Sequence, residues 1–512
     1  MQLSILDILV FIVYFLVTLW IGYRFSKQSK TTEGYFFGNR KIPGWAVGIS
    51  MVGTSISAVT FLGYPQFAYE GNWSKLIPGM MLPIGIIVAV KVYLPFYRSR
   101  GVVTAYEYLE RRFGPTSRVY VGSFFILGQI WRLGLILYLL SVIIVKIMPF
   151  NQFAIVVVAG AFIVAYTYMG GIEAVIWTDV IQTIILVIGG ILCMGIMVGS
   201  LPQGFVDVFR IGIENNKFDP GILRTNLFEE TWLVLVLIGL GCVGGFASDQ
   251  NVVQRYCAAK SYKDARKATI IGGAYQIPIW IFFAFLGTCM FAFYHVFPDE
   301  QVSKMLTIDI FPHFIMTELP MGVIGLVVAA VLAAAMSSLD SSLNSTSTVI
   351  TMDIVKRHLF KDRDDKFYTQ IAKGTTLALG VLMIATASAV VYIHIRDQQA
   401  TMVIMGMGFY LGAFLSGGVL AVYLLGFFTT RANNKSFWVG AIASQIVAVP
   451  LIMFEKIPSL EHLKFIHVYL IGYVGNLVCF VVGYITACIW PDKEKKDLTN
   501  LTVWTTPQRH ED

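Results

Sequence analysis

The sequence predicts an all-α polytopic membrane protein with thirteen transmembrane helices, and three observations carry that prediction. Thirteen apolar runs of about 20 residues follow one another along the 512 residues, each long enough to cross a bilayer as a helix. Hydrophobic residues make up 56% of the chain and charged residues only 13%, with a mean hydropathy of +0.70. A soluble domain of this length has no use for so much apolar surface. The basic residues fall mainly in alternate loops, as they do when one side of a membrane faces the cytoplasm.

Taken in order, the predicted spans are 5–24, 43–67, 76–97, 119–148, 152–169, 174–199, 230–255, 267–297, 320–350, 370–394, 399–428, 436–455 and 466–490. The start has neither a basic n-region nor a small-residue cleavage site, so the first run is expected to be a retained span. With the N-terminus outside, the inner loops and tail hold 27 of the 38 Lys and Arg residues, from Arg24 and Lys27 through Arg98, Arg255, Lys356 and Arg431 to Arg509. The outer loops hold eight: Lys75, Arg210, Lys217, Arg224, Lys304, Arg396, Lys456 and Lys464. That imbalance predicts N-terminus out and C-terminus in. The net charge of +7 is spread over these short loops, so it is no sign of nucleic-acid binding. Six cysteines lie in or at the ends of spans without CxxC spacing, and neither an HExxH pairing, a Walker A loop nor a G-x-S-x-G elbow occurs. The chain is therefore not expected to be an enzyme.

Two spans carry their own interruption. The second reads Ile49-Ser50-Met51-Val52-Gly53-Thr54-Ser55-Ile56-Ser57-Ala58-Val59-Thr60, and the seventh reads Gly239-Leu240-Gly241-Cys242-Val243-Gly244-Gly245. With the first span set aside, these open two consecutive sets of five helices. Breaks at matching places in two halves point to a transporter's binding site, because a broken helix exposes carbonyls and half-helix ends at mid-membrane. Glycines in membrane helices also permit close packing, which is the plainer account of either break alone.

The ninth span turns abruptly from small apolar residues into hydroxyls and one acid. Ser337, Asp340, Ser341, Asn344, Ser345 and Thr348 fall on one helical face. Such a stripe in hydrocarbon must face protein, water or an ion. Hydroxyl, carboxylate and carbonyl oxygens suit a hard cation such as sodium. A Ser/Thr-rich seam between helices is the alternative, although a seam needs no carboxylate at depth. Two further charges lie deep. Arg132, near the middle of the fourth span, is either a clamp for a solute carboxylate or the structural partner of Asp179 or Asp340. Asp179 shares a face with Gln182 and Thr183, as a second oxygen-rich patch or a structural network.

Four segments together resemble the sodium/solute symporter family. They are Tyr35-Phe36-Phe37-Gly38-Asn39-Arg40; Trp177-Thr178-Asp179-Val180-Ile181-Gln182; Gln254-Arg255-Tyr256-Cys257-Ala258-Ala259-Lys260-Ser261; and Ser337-Ser338-Leu339 with Asn344-Ser345-Thr346 and Thr351-Met352-Asp353. The resemblance implies a LeuT-like inverted 5+5 repeat with one extra helix before and two after. On that plan residues 1–42 are the extra helix and its loop, 43–199 and 230–428 the repeats, 436–490 the two C-terminal helices, and 491–512 a cytoplasmic tail. It implies a common sodium site from the carbonyls of Gly53, Ile56 and Ala334 and the hydroxyls of Ser337 and Ser338. Some members add a second sodium, which here would use Asp179, Ser337, Asp340 and Ser341. Asp340 departs from the hydroxyl expected there, so the number of sodium ions, one or two, stays open, as does a proton on Asp340.

The resemblance also bears on the solute. Val59 and Thr60 stand where sugar-transporting members carry an acid/amide pair, and Ser57 through Pro65 looks like the anion-handling branch. Ser55, Ser57 and Thr60 with Arg132 are similar to the sialic-acid members, except that Pro78-Gly79-Met80-Met81 has no glutamine; Gln66 is the candidate substitute. The expected function is sodium-coupled import of a small anionic solute, foremost a sialic acid. Monocarboxylate, pantothenate, proline or sugar uptake are the alternatives, and a transporter-like sensor the rival of another class. The expected partners are the solute, sodium and the lipid bilayer of a bacterial inner membrane, with no nucleic acid and no obligate protein partner. Arg132→Ala is expected to abolish uptake of a carboxylate solute while leaving membrane insertion intact; unchanged uptake would leave the arginine a structural role only.

Overall fold

A computed structural model describes residues 4–99, 102–147, 150–221, 231–456, 466–492 and 497–505. Arg100, Arg224, Lys464, Lys493, Lys495, Lys496 and Arg509, counted in the charge distribution, lie outside the described residues. The described chain is all-helical. Ten of its helices are long and apolar enough to cross a membrane, or twelve if each of two bent pairs is one span.

Helix Val323–Val349 forms the centre, and every residue from Val327 to Val349 is buried. Its first half is Ala-rich, which lets neighbouring backbones approach: a Cβ on Gly189 would meet Ala330 Cβ at 3.0 Å. Helices Gln152–Ser200, Pro115–Ile147, Ile5–Ser26 and Gly44–Ser55 pack around it. Asp7 ties the first helix to this centre, since its Oδ1 accepts from the backbone N–H of Gly322 at 2.9 Å and Gly325 at 2.6 Å. The periphery is apolar and exposed, with Leu9, Leu16, Val158, Ile191 and Leu477 facing outward as lipid-contacting side chains do.

The predicted fifth and sixth spans are one run, Gln152–Ser200, of 49 residues. A straight helix of that length would reach about 74 Å, more than twice the ~30 Å hydrocarbon layer. Gly171 interrupts it with φ 57° and ψ −151°, a conformation open to glycine alone, where the sequence reading places the boundary between two spans.

The two interrupted spans are bent pairs. Gly44–Ser55 meets its second half at 55°, and Trp232–Ser248 meets Gln250–Ala258 at 50°. The first bend falls within the expected stretch. The second lies at Asp249, after the glycine run expected to hold it. The glycines give a right-handed helical joint at Gly241, whereas Asp249 is extended (φ −79°, ψ 113°) and its side chain accepts from Asn251 N–H at 2.9 Å. An aspartate N-cap therefore sets the break.

Three arginines counted with the inner loops are buried: Arg112, Arg118 and Arg255. Arg112 donates to the carbonyls of Gly426, Thr429 and Ala432, ending helix Val419–Phe428. Arg118 pairs with Glu110 at 2.7 Å and Asp353 at 2.5 Å, and Arg357 joins through Glu110. Burial raises the Glu110 carboxyl, but the two guanidinium groups outweigh it and hold the group below its ordinary value. Its stabilisation is thus present at neutral pH and lost as pH falls through that depressed range. The described part of the tail is not free: Leu501 and Thr502 are buried, and Tyr108 Oη donates to the Leu501 carbonyl at 2.9 Å.

At Gly171 an added Cβ would lie 2.4 Å from the Tyr35 carbonyl oxygen, in a backbone conformation that L side chains avoid. Gly171→Ala is expected to cost about 1–3 kcal/mol. A fall in melting temperature of the purified protein in detergent checks this, and an unchanged melt contradicts it.

Candidate cation and solute site

The site begins where the first bent pair breaks. Thr54 and Ser55 turn their hydroxyls back onto their own helix, Thr54 Oγ1 to the Ser50 carbonyl at 2.9 Å and Ser55 Oγ to the Val52 carbonyl at 2.7 Å. Ile56 is extended (φ −98°, ψ 106°), and the chain restarts as Ser57 N–H donates to Thr60 Oγ1 at 3.3 Å. Hydroxyls that compete with the helical ladder are the local cause of the break.

The carbonyls freed there meet the central helix. Ser337 Oγ donates to the Gly53 carbonyl at 3.0 Å and lies 3.2 Å from that of Ala334. Ser338 Oγ donates to the Thr54 carbonyl at 3.2 Å. Segments 53–56 and 334–338 are thus in direct contact, with Gly53, Ile56 and residues 334–338 buried and Thr54 and Ser55 more open, toward a cavity. Hydroxyl and carbonyl oxygens at this spacing suit a hard monovalent cation. Among the described residues no group of three or more His, Cys, Asp or Glu gathers.

A second cluster lies against the first. Asp179 Oδ2 accepts from Ser50 Oγ at 2.5 Å and from Arg255 Nη2 at 2.9 Å. Arg255 Nη2 also reaches Ser341 Oγ at 2.7 Å, and Ser341 Oγ lies 3.3 Å from Asp340 Oδ1. Tyr166 Oη donates to Asp340 Oδ2 at 2.7 Å. Asp179 Oδ1 is buried with no hydrogen-bond partner among the described residues. Of the four residues expected for a second cation, Asp179, Asp340 and Ser341 come together here, while Ser337 bonds toward the first cluster.

The lower part of the stripe is a seam. Gln254 Nε2 donates to Asn344 Oδ1 at 2.7 Å and Thr348 Oγ1 at 3.0 Å, and Ser345 Oγ donates to Asn251 Oδ1 at 2.7 Å. On these turns the stripe packs as the Ser/Thr-rich seam of the alternative reading, while Ser337, Asp340 and Ser341 lie on the turns nearer the break. Gln182 and Thr183 likewise join a structural network, through Tyr14 Oη and the Asp179 carbonyl.

Arg132 pairs with neither acid. Asp179 takes Arg255, Asp340 takes Tyr166, and Arg132 makes no ion pair or hydrogen bond among the described residues. It lines a cavity of about 200 Å³ with Thr54, Ser55, Asp249, Arg255 and Gln276. A neighbouring cavity of about 480 Å³ shares Gly245 and Asp249 with it. Ser57, Thr60 and Gln66 are half-buried on the far side of the break and do not line the smaller cavity, so the structure does not gather all five expected solute-binding residues around it. Sequence reasoning missed Arg255, Tyr166 and Asp249. Only Asp249 had a local signal, an Asp-Gln-Asn cap inside an apolar run.

This geometry can be set beside known proteins. The sodium/sialic acid symporter NanT of Aliivibrio fischeri is 29% identical, over 93% of this chain and 92% of its own. The sodium/sialic acid symporter SiaT of Proteus mirabilis is 30% identical over 95% of each. A solved Na+-coupled sialic acid symporter, substrate-bound and outward-open with a novel Na+ site, superimposes with a TM-score of 0.88 at 30% identity, covering 97% of this chain and all of that one. The model of the sodium:solute symporter family matches residues 35–447, which include the first break, Arg132, Asp179, Arg255 and the central stripe. An oxygen-lined first break, an arginine with no ion pair among the described residues in the adjoining cavity and a match across four-fifths of the sequence agree: the chain belongs to the sodium:solute symporter family.

Proposed function

We infer that the chain imports a sialic acid by sodium symport, with alternating access around the two broken helices. The observation that carries the reading is the junction of Ser337 and Ser338 with the Gly53 and Thr54 carbonyls, beside a cavity walled by Arg132, which has no ion pair among the described residues. The names of the relatives and of the solved neighbour support the same solute class.

In this reading sodium is a cargo ion bound by Gly53, Ile56, Ala334, Ser337 and Ser338. Cation binding there joins the first broken helix to the central one and favours the form open to the outside. The ion can shift that equilibrium only by its differential affinity for the two forms. Arg132 receives the solute carboxylate through paired N–H donors, and Ser55 offers a hydroxyl in the same cavity. Ser57, Thr60 and Gln66 contribute once the solute draws the second half of the broken helix inward. The polar remainder of a nine-carbon sugar acid extends toward the larger cavity past Gly245. Asp179, Asp340 and Ser341 form the second cation cluster.

In this reading Gln152–Ser200 counts as two spans and each bent pair as one, which makes thirteen, and residues 43–199 and 230–428 are the two inverted repeats. The distribution of basic residues favours N-terminus out and C-terminus in, and the bacterial relatives support a bacterial inner membrane as the location.

The test is uptake of radiolabelled sialic acid into proteoliposomes, competed with monocarboxylate, pantothenate, proline and hexose. Accumulation is expected only under an inward sodium gradient and only sialic acids should compete. Equal uptake with choline in place of sodium would reject the coupling, and full competition by a simple monocarboxylate would reject the solute.

A further inference from the structure

Arg255 is buried to 1% exposure and anchored on two of its nitrogens, with Nε donating to Ser50 Oγ at 2.9 Å and Nη1 to the Asn251 carbonyl at 2.7 Å. Its third nitrogen, Nη2, lies 2.6 Å from Thr54 Oγ1, 2.7 Å from Ser341 Oγ and 2.9 Å from Asp179 Oδ2. Nη2 has two hydrogens, so three oxygens converge on a cationic atom that can serve only two of them at once. A guanidinium is best matched by a two-point fork on one carboxylate, whereas a ring of single oxygens from separate helices is how a small cation is held.

The charges point the same way. Asp179 and Asp340 are fully buried, and Arg255 is the cation bonded into their cluster. With both acids ionised the cluster carries a formal charge of −1, and a hydroxyl at position 340 would make it neutral. A buried uncompensated charge is costly, so the cluster has a use for one further monovalent cation.

We propose that Arg255 is a tethered stand-in for the second sodium: Nη2 occupies the ion's seat among Thr54, Ser341 and Asp179, and the arriving ion displaces it. Arg255 also lines the 200 Å³ cavity, into which the whole planar guanidinium can turn, giving up its Nε and Nη1 bonds together with those of Nη2. Asp340 supplies the negative charge that lets sodium and arginine reside in one cluster. This rests on the sodium-coupled reading and adds the residue that sets how tightly the second ion is held.

The experiment is a sodium titration of the thermal stability of the purified protein, with choline chloride holding ionic strength constant. Arg255→Met, Asp340→Ser and their combination change the cluster charge to −2, 0 and −1. Arg255→Met is expected to lower the sodium midpoint by about tenfold or more, the order for removing one nearby unit charge from a buried site. Asp340→Ser should raise it by a similar factor, and the double variant should bind more tightly than Asp340→Ser alone. Because Arg255→Met leaves two facing acids and can fail to fold, the comparison of the double variant with Asp340→Ser carries the same test without that excess charge. A purely structural arginine would lower stability equally in sodium and choline and leave the midpoint in place, which overturns the inference alone. A wild-type protein indifferent to sodium overturns the sodium reading and the inference with it.

Discussion

A helix that stops in the middle of a membrane leaves carbonyls that water cannot reach, and the rest of this structure is arranged around where they go. At the first break they go to Ser337 and Ser338 of the central helix. That contact fixes the register of the two elements, and register decides what else meets. Ser341, one turn further along, reaches the guanidinium of Arg255, while Asn344, Ser345 and Thr348 lie against Gln254 and Asn251. One helix face thus joins a hydroxyl–carbonyl contact with the first break, a charge cluster and a packing seam in sequence.

The same constraint explains why the central helix is buried all round. Its polar stripe can be tolerated only if every turn has a partner, and its alanines let the neighbouring helices come close enough to supply them. The lipid-facing helices need no such care. Helix Ile5–Ser26 exposes Leu9, Ile12 and Leu16, yet is fixed at its start by Asp7 on the N–H groups of Gly322 and Gly325.

Much of this was legible in the sequence because it depends on local pattern. Hydroxyls and an acid inside an apolar run marked the stripe, Thr54-Ser55 and Ser57 after Gly53 marked the first break, and Gly170-Gly171 separated two predicted spans. What escaped depends on tertiary partners. Arg255 stands near the end of an apolar run and was counted with inner-loop charges, because nothing local says that its helix turns back into the bundle. Arg132 was weighed as a partner for Asp179 or Asp340, but both acids are held by residues far away in the chain. The second break was expected among glycines, which give helical flexibility, whereas a capping aspartate four residues past Gly245 forces the turn. The resemblance of the four segments supplied the family, and the match over residues 35–447 agrees with it.

The central claim is that oxygens of segments 53–56 and 334–338 hold sodium. Binding of radioactive sodium to the purified protein, compared with a Ser337→Ala/Ser338→Ala variant, tests it most directly. Saturable binding by the native chain, and binding reduced by the ion of that site in a variant that still folds, is the result predicted. Undiminished binding by that variant would contradict the account and place the ion elsewhere.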